Sequence, residues 1–190
     1  DTIAGFHRQA EIVKTAGEAI ALSELVSANE PDLAHQLGGV LDRASVAAVV
    51  AQQDVAIRAH QGRLDARREK GWVRRCHGDL HLGNICLMGS EPTLFDAIEF
   101  NDSLAVVDIL YDVAFTIMDL GYRNLAQFAN LLMSRYFAYQ RELGGVALMP
   151  LFLSCRAVVR AKVLAELASI QNTRQSSTLV AASDYIQLAS

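Results

Sequence analysis

Apolar residues recur at helical spacing over most of the chain. In the first segment they lie three and four positions apart, which predicts an amphipathic helix. Its apolar positions are Ile3, Phe6, Ala10, Val13, Ala16 and Ile20. Breaks are expected at 29–32, which contains Pro31, and at Gly38-Gly39. From Asp42, a suitable N-cap, to Glu69 we expect one long helix that is kinked or interrupted near Gly62.

The pattern changes between residues 72 and 100. Short β-like runs are separated by turns, and Gly89-Ser90-Glu91-Pro92 predicts a four-residue hairpin connection between the last two runs. These runs are 72–76, 85–88 and 93–96. After residue 104 the helical pattern returns, with helices expected near 105–120, 123–142, 150–171 and 175–189.

We therefore expect one domain over residues 1–190 that is mainly α with a small antiparallel β hairpin. Its parts are a helical segment (1–71), a loop with the hairpin (72–100) and a helical bundle (104–189).

Composition and charge narrow the class of protein. Of the 190 residues, 52% are hydrophobic and 20% charged, which indicates a folded chain. The formal net charge of −4 argues against a nucleic-acid binder that works through bulk charge. Apolar stretches are too short for a membrane span, and no signal peptide is visible. The three cysteines form no CxxC pair, which favours reduced thiols and a cytoplasmic protein.

The candidate chemistry lies in the β region. His77-Gly78-Asp79 is followed by Asn84 five residues after the aspartate, and Asp96 comes twelve residues later. This spacing fits the H-x-D-x-x-x-x-N catalytic loop of kinases, with a second aspartate after a strand pair.

A hairpin would bring these groups together. If the strands pair around a four-residue turn, Met88 faces Thr93 and Ile85 faces Asp96. Because paired strands lie about 4.8 Å apart, Asp96 would return beside Asn84. Their carboxylate and amide oxygens suit Mg²⁺, and Asp79 would accept or orient the proton of an attacking hydroxyl.

The run 76–84 (CHGDLHLGN), then Leu94-Phe95-Asp96 and the run 108–114 (DILYDVA), resembles the aminoglycoside phosphotransferase family of the protein-kinase-like fold. The likeness is strongest to a bacterial branch often joined to a P-loop kinase domain, and it covers the C-terminal lobe alone. It implies phosphoryl transfer from ATP, or another nucleoside triphosphate, to a hydroxyl of a small molecule. Carried over by position, Asp79 matches the base, Asn84 and Asp96 match the Mg²⁺ ligands, and His77, His81 and Asp112 support the loop.

The likeness is incomplete. No GxGxxG or GxxxxGK[ST] motif occurs, and the helical pattern of residues 1–71 leaves no room for a five-stranded N-lobe. We therefore expect the N-lobe to be absent, and the chain to be a fragment of a longer enzyme that is weak or inactive alone.

Two other functions stay open. One is a catalytically silent binding or scaffold lobe. The other is a metal-dependent hydrolase with zinc held by His77, Asp79 and His81.

Three side-chain roles are also expected. Arg156, Arg160 and Lys162 could contact phosphate but are assigned to a solvated helix face, and Asp108 is assigned to a helix N-cap. Cys76 and Cys86 are assigned to the apolar core.

Overall fold

The computed structural model describes residues 1–16, 19–36, 43–170 and 177–190. It is 71% helical with two small antiparallel sheets, so the prediction of a mainly α fold with a small β component is confirmed at this level. The helices are α1 (Thr2–Gln9), α2 (Ala19–Gln36), α3 (Arg43–Glu69), α4 (Asp102–Ala105), α5 (Ile109–Tyr122), α6 (Ala126–Gln140), α7 (Met149–Ile170) and α8 (Ser177–Ala189). The strands are β1 (Val73–Arg75), β2 (Ile85–Met88), β3 (Glu91–Leu94) and β4 (Val106–Asp108).

Helix α5 is the centre of the fold. All of residues 109–119 are buried, and the helix packs against α6 on one side and α7 on another. A helix that is buried all round must have its polar side chains paired inside the protein. This requirement matters for the site, because α5 carries Asp112, Thr116 and Asp119.

The predicted first helix is wrong over residues 10–16. Helix α1 ends at Gln9, and the chain then runs beside β1, where Ile12 bridges Arg74. The amide of Val13 donates to the carbonyl of Val73 at 3.1 Å. The apolar spacing of this segment suits a helix, but an edge strand needs backbone partners, and that non-local demand decides the structure.

Two predicted interruptions are also wrong. Helix α2 continues through Pro31, with Val26 and Leu33 fully buried on either side of it. Burial of these side chains offsets the backbone hydrogen bond that an interior proline removes. Helix α3 runs without interruption through Gly62, because one glycine costs only about 1 kcal/mol in a helix. The expected break at Gly38-Gly39 and the N-cap at Asp42 lie outside the described residues.

The β2–β3 hairpin forms where it is predicted, but its register differs. Gly89 and Ser90 make a two-residue turn, so Met88 pairs with Glu91 and Ile85 pairs with Leu94. The expected pairing of Ile85 with Asp96 is therefore wrong by two residues. Gly89 has φ +65°, which suits a glycine-first two-residue turn and lets the strands pair directly after it.

A second sheet, which the pattern does not predict, joins β1 to β4 with Val73 opposite Asp108. The start of β1 therefore lies beside the start of α5, and the end of β1, which leads into the candidate loop, lies beside Ala105 and Val106. Asp108 caps α5, as predicted, by accepting a hydrogen bond from the amide of Leu110 at 2.8 Å. Strand β4 takes the residues that were expected to open this helix.

In the described part of the chain, no helix combines the length and the low charge needed to cross a membrane.

Candidate active site

The candidate loop runs from His77, after β1, to Asn84, before β2. Its first two amides, of His77 and Gly78, both donate to the carboxylate of Asp112, at 3.2 and 2.9 Å. Gly78 has φ +83°, and a Cβ at this position would lie 2.9 Å from the carbonyl oxygen of Leu104. A larger residue is excluded at this turn, so glycine is required for the loop to reach Asp112.

Helix α5 holds the loop at three points along one face. Besides Asp112, Thr116 donates its hydroxyl proton to the carbonyl of Leu80 at 2.6 Å. Asp119 accepts from the amide of Leu82 at 3.1 Å. The three side chains are four and three residues apart, so they lie on the same side of the helix. We name Asp112, Thr116 and Asp119 the α5 brace.

The expected solvated position of Arg156 is wrong. Arg156 on α7 is buried and donates to the carbonyls of Gly78 and Tyr111, both at 2.9 Å. Its guanidinium also lies 3.4 Å from a carboxylate oxygen of Asp112 and 3.8 Å from the ring centre of Tyr111. Burial of a cation requires such partners, and here they fix the loop from a second helix.

The second oxygen of Asp112 receives His7 from α1. His7 Nε2 lies 3.0 Å from Asp112 Oδ2, and His7 Nδ1 lies 2.6 Å from the hydroxyl of Tyr136 on α6. His7 and Asp112 are fully buried. Burial acts to raise the pKa of Asp112, but the hydrogen bond and charge of His7, with the charges of Arg156 and His77, lower it below its ordinary value. Asp112 is therefore an ionised acceptor for the loop amides.

Asp79 and Asn84 meet across the loop. Asn84 Nδ2 donates to the main-chain oxygen of Asp79 at 2.9 Å and to Asp79 Oδ2 at 3.1 Å. Gly83 donates to His81 Nδ1 at 2.9 Å, so the proton on Nε2 of His81 faces Asp79 Oδ2, 3.4 Å away. Asp79 Oδ1 and Asn84 Oδ1 accept no hydrogen bond from any described residue.

The electrostatics of Asp79 favour its charged form. Partial burial acts to raise its pKa, but His81, the charge of Arg156 and the hydrogen bond from Asn84 lower the pKa below the ordinary value. The side chain is 39% exposed, so the carboxylate is both ionised and accessible.

Asp96 lies in a tight turn that is fixed to the loop. The amide of Phe95 donates to the carbonyl of Asn84 at 3.1 Å, and His77 Nε2 donates to the carbonyl of Phe95 at 2.8 Å. The amide of Ile98 donates to the carbonyl of His77 at 2.9 Å. Asp96 itself has φ +61°, a left-handed conformation that aspartate tolerates better than most residues. Its side chain is exposed and makes no hydrogen bond or ion pair within the described ranges.

The two loop histidines are committed to these contacts rather than to a shared metal. His77 Nε2 binds Phe95, and His81 Nδ1 accepts from Gly83. Over the described residues, His77, Asp79 and His81 do not form a group with ligand atoms within 4.8 Å of one another. This geometry disfavours the zinc site of the hydrolase hypothesis.

A different group, His7, Cys76 and Asp112, does lie within that distance and is fully buried. The Cys76 thiol donates to the carbonyl of Val107 at 3.5 Å, and burial raises its pKa well above the ordinary value. A protonated thiol is a poor metal ligand, so we assign this group to packing. Cys76 is thus buried as predicted, whereas Cys86 is exposed on β2 and its predicted burial is wrong.

A cavity of about 300 Å³ opens beside Asp79. Its walls come from α2, the candidate loop, the segment 98–107, α5 and α7, and they include Asn29, Tyr111 and Lys162. A cavity of this size next to an accessible carboxylate fits the site of a small molecule.

Sequence analysis missed His7, Thr116, Asp119 and Arg156. The spacing of Asp112, Thr116 and Asp119 is a signal that could have revealed the brace, since three polar residues on one face of an otherwise apolar helix need buried partners. Nothing near His7 or Arg156 in the sequence indicates which distant groups they contact.

Comparisons with known proteins give relatives but no family. No family model matches the chain, and no solved structure matches it. Uncharacterized proteins of Mycobacterium bovis and of two strains of Mycobacterium tuberculosis are each 27% identical over 166 residues. The match covers 86% of this chain and 33% of each relative. The chain thus spans about a third of the length of these curated relatives.

Proposed function

We propose that the chain is the catalytic, C-terminal lobe of a kinase-like phosphotransferase. It would transfer the γ-phosphate of ATP, or of another nucleoside triphosphate, to a hydroxyl of a small molecule. We also propose that the longer enzyme contains a nucleotide-binding N-lobe and, as is often the case in the bacterial branch that the chain resembles, a P-loop kinase domain.

The observation that carries the proposal is that hydrogen bonds join the loop with Asp79 and Asn84 to the turn with Asp96 at one end of the hairpin. Asn84 contacts Asp79 through its side chain and Phe95, the neighbour of Asp96, through its backbone. The corrected register does not separate these residues, because the bonds from Phe95 and Ile98 return the chain to the loop.

Asp79 has the properties of the group that receives the acceptor hydroxyl. Its Oδ2 is held by Asn84 and His81, its Oδ1 accepts no hydrogen bond from the described residues, and the residue lines the cavity. Phosphoryl transfer depends mainly on positioning and charge stabilisation, so an ionised carboxylate that orients a hydroxyl and takes its proton is sufficient.

Asn84 and Asp96 fit a divalent cation. An amide oxygen without a hydrogen bond and an exposed carboxylate without an ion pair are the oxygen ligands that Mg²⁺ takes alongside water and phosphate. When bound, the ion would neutralise charge on the phosphates. The chain's own contribution is to hold Asn84 through Asp79 and Asp96 through His77 and Phe95.

Replacement of Asp79 tests the catalytic assignment. In the natural polypeptide that contains this chain, Asp79→Asn should lower the rate of label transfer from γ-labelled ATP to organic products by about 10²- to 10⁴-fold, the usual contribution of a positioned base. Asp184→Asn, at an exposed position on α8, is the matched control and should leave the rate unchanged. An Asp79→Asn enzyme with the parental rate would exclude the assignment.

Calorimetry separates the phosphotransferase from a silent scaffold lobe. Titration of ATP into the natural polypeptide that contains this chain should release heat that depends on Mg²⁺. Asp96→Asn should reduce that heat, whereas Asp184→Asn should not. Equal heats with and without Mg²⁺ would favour the scaffold. Efficient ATP turnover by these 190 residues alone would contradict the expected need for an N-lobe.

A further inference from the structure

The cavity beside Asp79 contains a second polar group that makes no contact of its own. Asn29 on α2 lines the cavity and is only 8% exposed. Its side chain makes no hydrogen bond with the described residues, yet none of its polar atoms is sealed from solvent. A buried amide with a free donor and a free acceptor is costly unless something that enters the cavity satisfies it.

The charges around the cavity balance. Among the described wall residues, the carboxylates of Asp79 and Glu166 are matched by Arg156 and Lys162. Lys162 lies 3.9 Å from Glu166, and Arg156 is committed to the loop backbone. A polycationic acceptor needs an excess of carboxylates, and these walls do not supply one.

Apart from Ser103, the other side chains in the walls are apolar, and a second cavity of about 400 Å³ adjoins this one. The two cavities share Leu25, Ser103, Val107 and Tyr111. Apolar side chains such as Leu22, Leu64 and Phe152 form most of the wall of the second cavity. The wall also includes Glu24 and Asp108, and Asp108 is paired with Arg67. An occupant that reaches Asp79 therefore has apolar space behind it.

We propose that the phosphate acceptor is an uncharged alcohol with an apolar body and a second oxygen group. Its reactive hydroxyl would lie at Asp79, its second oxygen would hydrogen-bond to Asn29, and its apolar part would extend toward the second cavity. This inference rests on the proposed function, and Asn29 is the specificity residue that it adds.

Binding of simple probes to the 190-residue chain, followed by amide chemical-shift titration, tests the inference. The probes are 1-octanol, the isomeric octanediols from 1,2- to 1,5-octanediol, and octylamine. The best diol should bind roughly three- to tenfold more tightly than 1-octanol, the value of one net hydrogen bond. From butane- to octane-based diols, affinity should rise by up to roughly fourfold per methylene, because each one buries apolar surface.

Two variants of Asn29 give the specificity control. Asn29→Ala should remove the advantage of the diol over 1-octanol, while Asn130→Ala, at an exposed position on α6, should keep it. Asn29→Asp should raise the affinity for octylamine by about fivefold or more, because it leaves the cavity with an unmatched carboxylate.

Three results would overturn the inference. They are tighter binding of octylamine than of the diols by the parental chain, a diol advantage that survives Asn29→Ala, and shifts that lie away from the cavity. The titrations contain no nucleotide or Mg²⁺, so they stand apart from catalysis. Diol binding without any phosphotransfer would leave the pocket assignment intact and remove the proposed function. Phosphotransfer to cationic compounds alone would support the proposed function and remove the pocket assignment.

Discussion

Asp112 is the residue on which the site depends most. Its two oxygens receive the amides of His77 and Gly78 together with His7 and Arg156. The carboxylate is fully buried, so these donors would lose a charged acceptor that water cannot readily replace if the charge were removed. The position of the loop that carries Asp79 is therefore set by a residue 33 positions downstream.

Asp112→Asn should destabilise the chain by about 3–5 kcal/mol in urea denaturation, because it leaves buried donors without a charged partner. Asp184→Asn, exposed on α8, should change the free energy of unfolding by less than about 0.5 kcal/mol. A loss below about 1 kcal/mol for Asp112→Asn would show that the carboxylate does not brace the loop.

Asp112 should also make the free energy of unfolding depend on pH in the acid range. Because the folded-state pKa of Asp112 is lowered, its contribution to stability is complete above the ordinary carboxyl pKa of about 3.9 and is lost as the pH falls through the lower folded value. Comparison of unfolding free energies at pH 6 and pH 3 should show a smaller loss in Asp112→Asn than in the parental chain. An equal loss in the two proteins would contradict this assignment.

At the scale of elements, α5 combines two roles. It is the central helix of the core, and its one polar face carries the α5 brace of Asp112, Thr116 and Asp119. The loop is therefore held against an element that is itself fixed by α6 and α7. Rigid support of this kind is what precise placement of reacting groups requires.

Thr116→Val removes one point of the brace while preserving the shape of the side chain. It leaves the carbonyl of Leu80 without its 2.6 Å donor, which should cost about 1–3 kcal/mol and speed hydrogen exchange in residues 80–82. Thr178→Val, on α8, is the matched control and should leave exchange in the loop unchanged. Unaltered exchange at residues 80–82 in Thr116→Val would show that Thr116 does not hold the loop.

The elements also show how far local pattern reaches. The positions of α6, α7, α8 and β2 follow from local periodicity, and they form within a few residues of where they are predicted. The segment 10–13 does not, because its extended conformation is decided by pairing with β1. The hairpin register likewise depends on the left-handed backbone of Gly89, which makes a two-residue turn. The composition of the turn is compatible with either two or four residues.

The site divides in the same way. Asp79, Asn84 and Asp96 can be predicted from spacing because they belong to two segments joined by one hairpin. Arg156 on α7 contacts Gly78 of the loop across 78 residues of sequence, and His7 on α1 contacts Asp112 on α5 across 105 residues. Contacts at such separations are set by packing of the whole chain, and no local pattern contains them.

At the scale of the whole molecule, burial in the core keeps thiol and phenol groups neutral. Burial raises the pKa of Cys155 and of Tyr111 each to about 12. A raised folded-state pKa means that stability is complete below the unfolded value and is lost as the pH rises toward the folded one. The window for Cys155 therefore runs from about pH 9 to about pH 12.

Denaturation between pH 8 and pH 10.5 should show a progressive fall in the free energy of unfolding. Cys155→Ala should make that fall shallower, while Cys86→Ala, which changes an exposed thiol, should not. A pH dependence that is identical in Cys155→Ala and the parental chain would exclude the Cys155 thiol as a cause.

The central claim is that the loop and the hairpin end hold one divalent cation between Asn84 and Asp96, next to Asp79. Titration with paramagnetic Mn²⁺ in place of Mg²⁺, followed by amide NMR signals, tests it most directly. The signals of Asp79, Asn84 and Asp96 should broaden at lower Mn²⁺ than those of Asp184 and other exposed acids, and Asp96→Ala should abolish this preference. Broadening spread evenly over surface carboxylates, or unchanged by Asp96→Ala, would contradict the claim.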